Sequence, residues 1–267
     1  MELEFGYDTT VQRVTVPEER LLAVLEPQGA AAPAAGAEED IVRAALAHPI
    51  GAPALRRVVR PGEKIAIVTS DVSRPMPTWK VLPAVLEELW AAGAAPEDVT
   101  LVFARGVHRA HTEEERRRLA GEAAWGKIAC VDSDPEDTVT VGVTRRGTPV
   151  EIMRAVAEAD RRILLGNIEF HYFAGFSGGA KALMPGVSTR AAIRCNHSHM
   201  AEPGAKAGVL EGNPVREDLE EAAAIVGADY IVNVVLDAHK HIVHAVAGDV
   251  TQAHRAGCAF LEKFYRA

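Results

Sequence analysis

Three short segments of this chain concentrate side chains that can move protons or hold anions. Thr69-Ser70-Asp71-Val72-Ser73-Arg74 carries an acid and a guanidinium, and the planar fork of Arg74 can clamp a carboxylate or phosphate. Ala104-Arg105-Gly106-Val107-His108-Arg109-Ala110-His111-Thr112 sets two histidines among arginines, and an imidazole titrating near ~6.5 suits general acid/base work. Thr112 and Glu115 spell a T-x-x-E capping box, so a helix begins there. His108 stays on the preceding loop as the candidate, and His111 merely precedes the cap. The third segment is the densest: Phe170-His171-Tyr172-Phe173-Ala174-Gly175-Phe176-Ser177-Gly178-Gly179-Ala180-Lys181. Its glycines let backbone amides approach a ligand closely, and Lys181 stands just beyond them. The spacing is neither G-x-G-x-x-G nor G-x-x-x-x-G-K-[ST], which leaves a cofactor loop of its own kind. Ser188 is expected to cap a helix that delivers Asn196-His197-Ser198-His199 at its end.

Two other clusters carry less. His239-Lys240-His241 and His244 fall in an expected hairpin, with 239 and 241 on one face and 244 on the other, and read as surface. Asp132–Asp137 resembles a calcium loop only in charge, because Asp137 stands where the turn glycine belongs and Val143 where the bidentate glutamate belongs. It reads as a solvated acidic turn.

A frame must hold the three segments at one place. Lys64–Thr69 and Val99–Ala104 are continuous apolar runs typical of strands covered on both faces, with a helix over Thr78–Ala92 between them. That βαβ unit favours a right-handed crossover. Residues 28–36 form a low-complexity loop, and Glu38–His48 reads as a helix with Ile41, Ala44 and Leu46 inward. Val150–Ala159 is expected as a helix, Arg162–Gly166 as a strand, 231–236 with 242–246 as an antiparallel hairpin, and Val250–Phe264 as the final helix. The fold class is therefore α/β, a Rossmann-like, mostly parallel sheet flanked by helices, with the hairpin near the C-terminus. Open α/β sheets bind ligands at the carboxyl ends of their strands, where all three polar segments fall.

At 267 residues, against roughly 150 per domain, the chain fits one large domain or two small ones. No composition shift or internal repeat divides it. With 29 basic and 37 acidic residues its formal charge is −8, the wrong sign for a nucleic-acid partner. The start, Met1-Glu2-Leu3-Glu4-Phe5, lacks a signal-peptide n-region, and no run approaches the ~18 apolar residues of a membrane span. A cytoplasmic protein without a membrane partner is expected. Cys130, Cys195 and Cys258 show no C-x-x-C spacing, so a bound metal would have to use histidine.

In order and wording these segments resemble the nickel-dependent lactate racemase family of 2-hydroxyacid racemases and epimerases. The likeness is carried by Ser70-Asp71-Val72-Ser73-Arg74-Pro75, Gly106-Val107-His108-Arg109, the run from Phe170 to Lys181, Met184-Pro185-Gly186-Val187 and Asn196-His197. Weaker echoes are Phe5-Gly6-Tyr7, Gly212-Asn213-Pro214, Val232-Asn233-Val234-Val235 and Gly248-Asp249. The resemblance implies a nickel-pincer nucleotide, a pyridinium-3,5-bisthiocarboxylic acid mononucleotide derivative whose two sulfur arms and ring carbon hold nickel. By the same likeness Lys181 joins this cofactor as a thioamide, and His197 completes a four-coordinate nickel site. Asp71, Ser177, Gly178 and Gly179 belong to the cofactor site, Arg74 binds the substrate carboxylate, and His108 and His171 face the substrate carbon from opposite sides. One histidine then removes the hydroxyl proton as hydride passes to the cofactor, and return of hydride to the other face of the 2-keto acid inverts the centre.

The implied partners are a small 2-hydroxy acid and the enzymes that make the cofactor. The resemblance further implies that residues 1–267 form the N-terminal cofactor-binding domain, with the family's second α/β domain absent from this sequence. Two alternatives stay open: a module that binds nucleotide and nickel without turnover on its own, and a histidine-metal hydrolase that works with zinc and no nucleotide.

Overall fold

The apolar runs become neighbours in one sheet. The computed structural model describes residues 1–7, 10–24 and 37–265, so the loop expected at 28–36 lies outside the described residues. The strands are β1 Glu2–Tyr7, β2 Thr10–Thr15, β3 Ile65–Ser70, β4 Val99–Ala104, β5 Ala129–Asp132, β6 Thr138–Val143, β7 Pro149–Met153, β8 Arg161–Ile168, β9 Phe170–His171, β10 Gly175–Phe176, β11 Tyr230–Leu236 and β12 Ile242–Gly248. The helices are α1 Ala37–Ala47, α2 Leu55–Val58, α3 Thr78–Ala91, α4 Glu113–Ala124, α5 Arg154–Ala157, α6 Arg190–Ser198, α7 Pro214–Val226 and α8 Gln252–Phe264.

The central sheet has the order β12-β11-β8-β3-β4-β5. Its strands run parallel except β12, which pairs antiparallel with β11 at the edge. Both faces are covered, as the unbroken apolar runs require. Ile65 and Ile67 of β3 pack with α1 to α4 through Val42, Leu46, Leu82 and Val85. Ala66 and Val68, on the other face, pack with β7 and with α6 to α8 through Ile152, Ala192, Leu219 and Leu261. From β3 the chain proceeds to β4 and β5 on one side, and from β8 to β11 on the other. Between β3 and β8 lies the switch point at which such sheets open a crevice.

Three expectations are corrected. Residues 150–159 are not one helix: Pro149–Met153 is a strand paired with β6, and only Arg154–Ala157 is helical. Val150 and Ile152 are buried on either side of half-buried Glu151, a period of two that outweighs the alanines following them. In α1 it is Val42, not Ala44, that is buried with Leu46. His244 also leaves the surface set, since it is half-buried and stacked on Phe260 at 4.0 Å between centroids. Among the described residues no helix is long and apolar enough to cross a membrane.

Candidate functional site

The three polar segments meet in one cavity of about 360 Å³ at the switch point. Asp71, Arg74, His108, His171, Ser177, Gly178, Lys181 and His197 all line it. Gly179 does not: its amide is engaged by the Asn233 side chain at 2.7 Å.

Asp71 leaves the end of β3 almost fully buried, with Oδ2 2.6 Å from His108 Nδ1 while Oδ1 accepts the Ser73 hydroxyl at 2.7 Å. The carboxylate therefore orients the ring and can stabilise charge on it. The capping box forms as expected, Glu115 N donating to Thr112 Oγ1 and Thr112 N to Glu115. His111, however, does more than precede it. Its buried ring accepts the Val72 amide at Nε2, and Nδ1 meets Asp132 at 2.7 Å, tying the loops after β3 and β4 to the end of β5. Asp132 thus belongs to this brace and not to a solvated turn.

Phe173 is the hub of the third segment. Its ring lies edge-on to His171 at 4.6 Å and to His197 at 5.1 Å, and Lys181 Nζ stands 5.8 Å from its centroid. Burial pushes Lys181 down to about 7, with Arg216 and Arg74 adding repulsion, so a substantial share of the amine is neutral near physiological pH. Burial likewise holds His197 below its ordinary range and His171 down to about 3. These two imidazoles are neutral, with lone pairs available to a metal or a donor. His197 rides at the end of α6, as expected, but the cap is Thr189, whose hydroxyl accepts from Ala192 N. Ser188 instead donates to the Leu183 carbonyl at 2.9 Å, closing the turn after Lys181.

Sequence reasoning missed the residues that hold this loop from behind. Asn213 donates to the Phe173 carbonyl at 2.9 Å, and fully buried Arg216 donates to the carbonyls of Ala174 and Phe176. His254 meets the Ser177 carbonyl at 2.8 Å, and Asn233 accepts from Gly179. Close approach forces glycine at 178, where φ is +74° and a Cβ would stand 2.7 Å from Asn233 Oδ1. The Ser177 hydroxyl is spent locally, donating to Asn167 O and accepting from Glu169 N. Each partner is a buried polar side chain that satisfies a carbonyl or, for Asn233, an amide of the loop that water cannot reach.

His254 carries a pH consequence. Burial pushes it down to about 3, against ~6.5 in the unfolded chain. Between these values the unfolded state binds the extra proton, so stability falls as pH falls, by roughly 1.4 kcal/mol per pH unit for one such site. His254→Gln keeps a donor for Ser177 and should flatten the decline in urea-melt stability from pH 6 to 4 by about one proton's worth. An unchanged slope would assign the acid sensitivity elsewhere.

Among the described residues no three or more His, Cys, Asp or Glu side chains stand together to hold a metal ion.

The family model of the lactate racemase N-terminal domain matches residues 7–208. Lactate racemase of Thermoanaerobacterium thermosaccharolyticum is 34% identical over 98% of this chain and 62% of its own length. That of Lactiplantibacillus plantarum is 33% identical over the same shares. The chain thus spans less than two thirds of either relative. In three dimensions it matches the lactate racemase apoprotein from T. thermosaccharolyticum with a TM-score of 0.86, covering 99% of this chain and 63% of that one. A Thermotoga maritima protein, 17% identical over 90% of this chain and 61% of its own, shares the fold at a TM-score of 0.66.

Proposed function

The chain belongs to the lactate racemase N-terminal domain family, and from that premise we propose that it binds cofactor and substrate for the racemisation or epimerisation of a lactate-like 2-hydroxy acid. The observation that carries this reading is the set around Phe173: a lysine whose amine burial makes readily neutral, a neutral histidine at a helix end and a second imidazole, facing one cavity with the Asp71–His108 pair.

The residues present fit a nickel-pincer nucleotide. Lys181 has the uncharged amine that thioamide formation needs, and His197 is a neutral imidazole on the same wall. One protein ligand suffices when the cofactor brings the others. Lys181 would hold the group and His197 its metal; when bound, it supplies a site that takes hydride from the substrate carbon and returns it. Arg74, exposed at the cavity wall, binds the substrate carboxylate. His108 takes the hydroxyl proton at Nε2 while Asp71 stabilises the ring from Nδ1. His171 serves the other face, because the hydroxyl lies on opposite sides in the two enantiomers. By the family resemblance, a second α/β domain would complete the substrate pocket. The cytoplasm is the proposed location.

The test is coexpression with those enzymes, followed by intact mass, nickel content and incubation with one lactate enantiomer, with the second domain supplied. A covalent mass increment, bound nickel and formation of the other enantiomer by chiral separation are expected. Neither increment nor nickel would reject the reading; loading without interconversion would reduce the chain to a cofactor-binding module. His197→Ala should lose nickel on gel filtration, whereas His199→Ala, whose ring pairs with Glu202 at 2.6 Å, should retain it. Equal nickel in both variants would remove His197 from the metal.

A further inference from the structure

A backbone N–H can only donate. The bond from the Ala174 amide to His171 Nδ1, at 3.2 Å, therefore makes that nitrogen an acceptor and leaves the proton of the neutral ring on Nε2. His108 is held the other way. Its Nδ1 faces Oδ2 of Asp71 at 2.6 Å, and the carboxylate's other oxygen accepts from Ser73, so Nδ1 carries the proton and Nε2 the lone pair. The Phe173–Ala174 peptide that carries this N–H is not free to turn, because its carbonyl, that of Phe173, accepts from Nδ2 of buried Asn213 at 2.9 Å. The His171 ring is confined as well, stacked on Tyr172 with centroids 5.0 Å apart and set edge-on to Phe173.

We infer that the two site histidines are preset in opposite tautomers, so that in the resting chain His108 Nε2 is the proton acceptor and His171 Nε2–H can only donate a hydrogen bond. This rests on the racemase reading above and deepens it. When His108 acts as base, the substrate O–H bond breaks, an Nε2–H bond forms, and the ring becomes an imidazolium with its positive charge beside Asp71. For His171 to carry a transferred proton, its ring must bear hydrogen on both nitrogens. Nδ1–H would then face the Ala174 N–H, so the contact must first open. The enantiomer that uses His171 as base meets the same obstacle, since Nε2 is already protonated. Each direction of the reaction thus requires a movement at 171–174, before His171 gives a proton in one and before it takes a proton in the other. Interconversion of enantiomers has an equilibrium constant of unity, so kcat/KM is equal in both directions, and the movement is a step of both.

The test reads the tautomers directly, in the metal-free chain labelled with nitrogen-15 histidine, by long-range proton–nitrogen correlation at pH 7. His108→Gln and His171→Gln supply the assignments. For His171 the expected pattern is Nδ1 at the unprotonated position and Nε2 at the protonated one; for His108 it is the reverse. A protonated Nδ1 on His171, or intermediate shifts on both of its nitrogens, would overturn the inference, as would an Nε2–H tautomer on His108. The spectra need neither cofactor nor turnover. Opposite tautomers in a loaded protein that does not interconvert lactate would sink the racemase reading and leave the preset standing; matching tautomers in an active one would do the converse.

Discussion

Lys181→Ala is expected to abolish the proposed covalent adduct and to leave the fold intact. The amine is half-buried against the Phe173 ring and held near neutrality, at about 7, chiefly by burial and then by Arg216 and Arg74. At pH 8 such an amine is roughly 10²-fold richer in its neutral, nucleophilic form than an ordinary lysine near ~10.4. Removing it relieves a desolvated cation, so no stabilising contact of consequence is lost. The sign of its pH dependence follows. The unfolded chain binds the extra proton between about 7 and ~10.4, so stability rises with pH across that window in the wild type and less so in Lys181→Met. Intact mass after coexpression reads the adduct. Peptide mapping after brief acylation of the unloaded chain at pH 8 reads the amine, with Lys181 expected to label ahead of exposed lysines where the reagent reaches it. An unchanged adduct mass in the variant removes Lys181 from the role.

How far the sequence carries depends on whether the cause of a feature is local. The runs at Ile65–Ser70 and Val99–Ala104 were legible because a strand covered on both faces leaves no polar positions to confuse the pattern. The Thr112–Glu115 box was legible because both halves lie within one turn. Convergence of the three polar segments followed from strand ends meeting at one edge of a parallel sheet. Where two local signals compete, the reading slips by a residue, as between Ser188 and Thr189, adjacent hydroxyls of which only the second caps α6. The supporting shell was not legible, since Arg216 and His254 meet the loop across 40 and 77 residues. A signal did exist. Arg216 shares the buried face of α7 with Leu219 and Ala223, and His254 that of α8 with Cys258 and Leu261. A polar residue at helical spacing within an apolar stripe needs a buried partner. Asn213-Pro214, an N-cap followed by proline at the first helical position, likewise marked the start of α7, and the same asparagine holds the Phe173 carbonyl.

Replacing either His108 or His171 by Ala should suppress interconversion of both enantiomers in the loaded protein with its second domain present. Each direction uses one ring to take a proton and the other to give one, so neither direction survives the loss of a partner. General acid/base groups contribute ~10²- to 10⁴-fold, and losses of that order are expected in chiral-exchange rates with nickel and adduct preserved. Asp71 separates two roles for the same wall. If it serves His108, as the 2.6 Å contact and its burial indicate, Asp71→Asn lowers the rate while the adduct mass and nickel stay at wild-type levels. If it serves the cofactor, loading falls first and the rate only in proportion. The histidine pair divides on the same measurements: near-normal exchange by either loaded variant breaks the two-base scheme, and a variant that fails to load moves its histidine from the substrate to the cofactor.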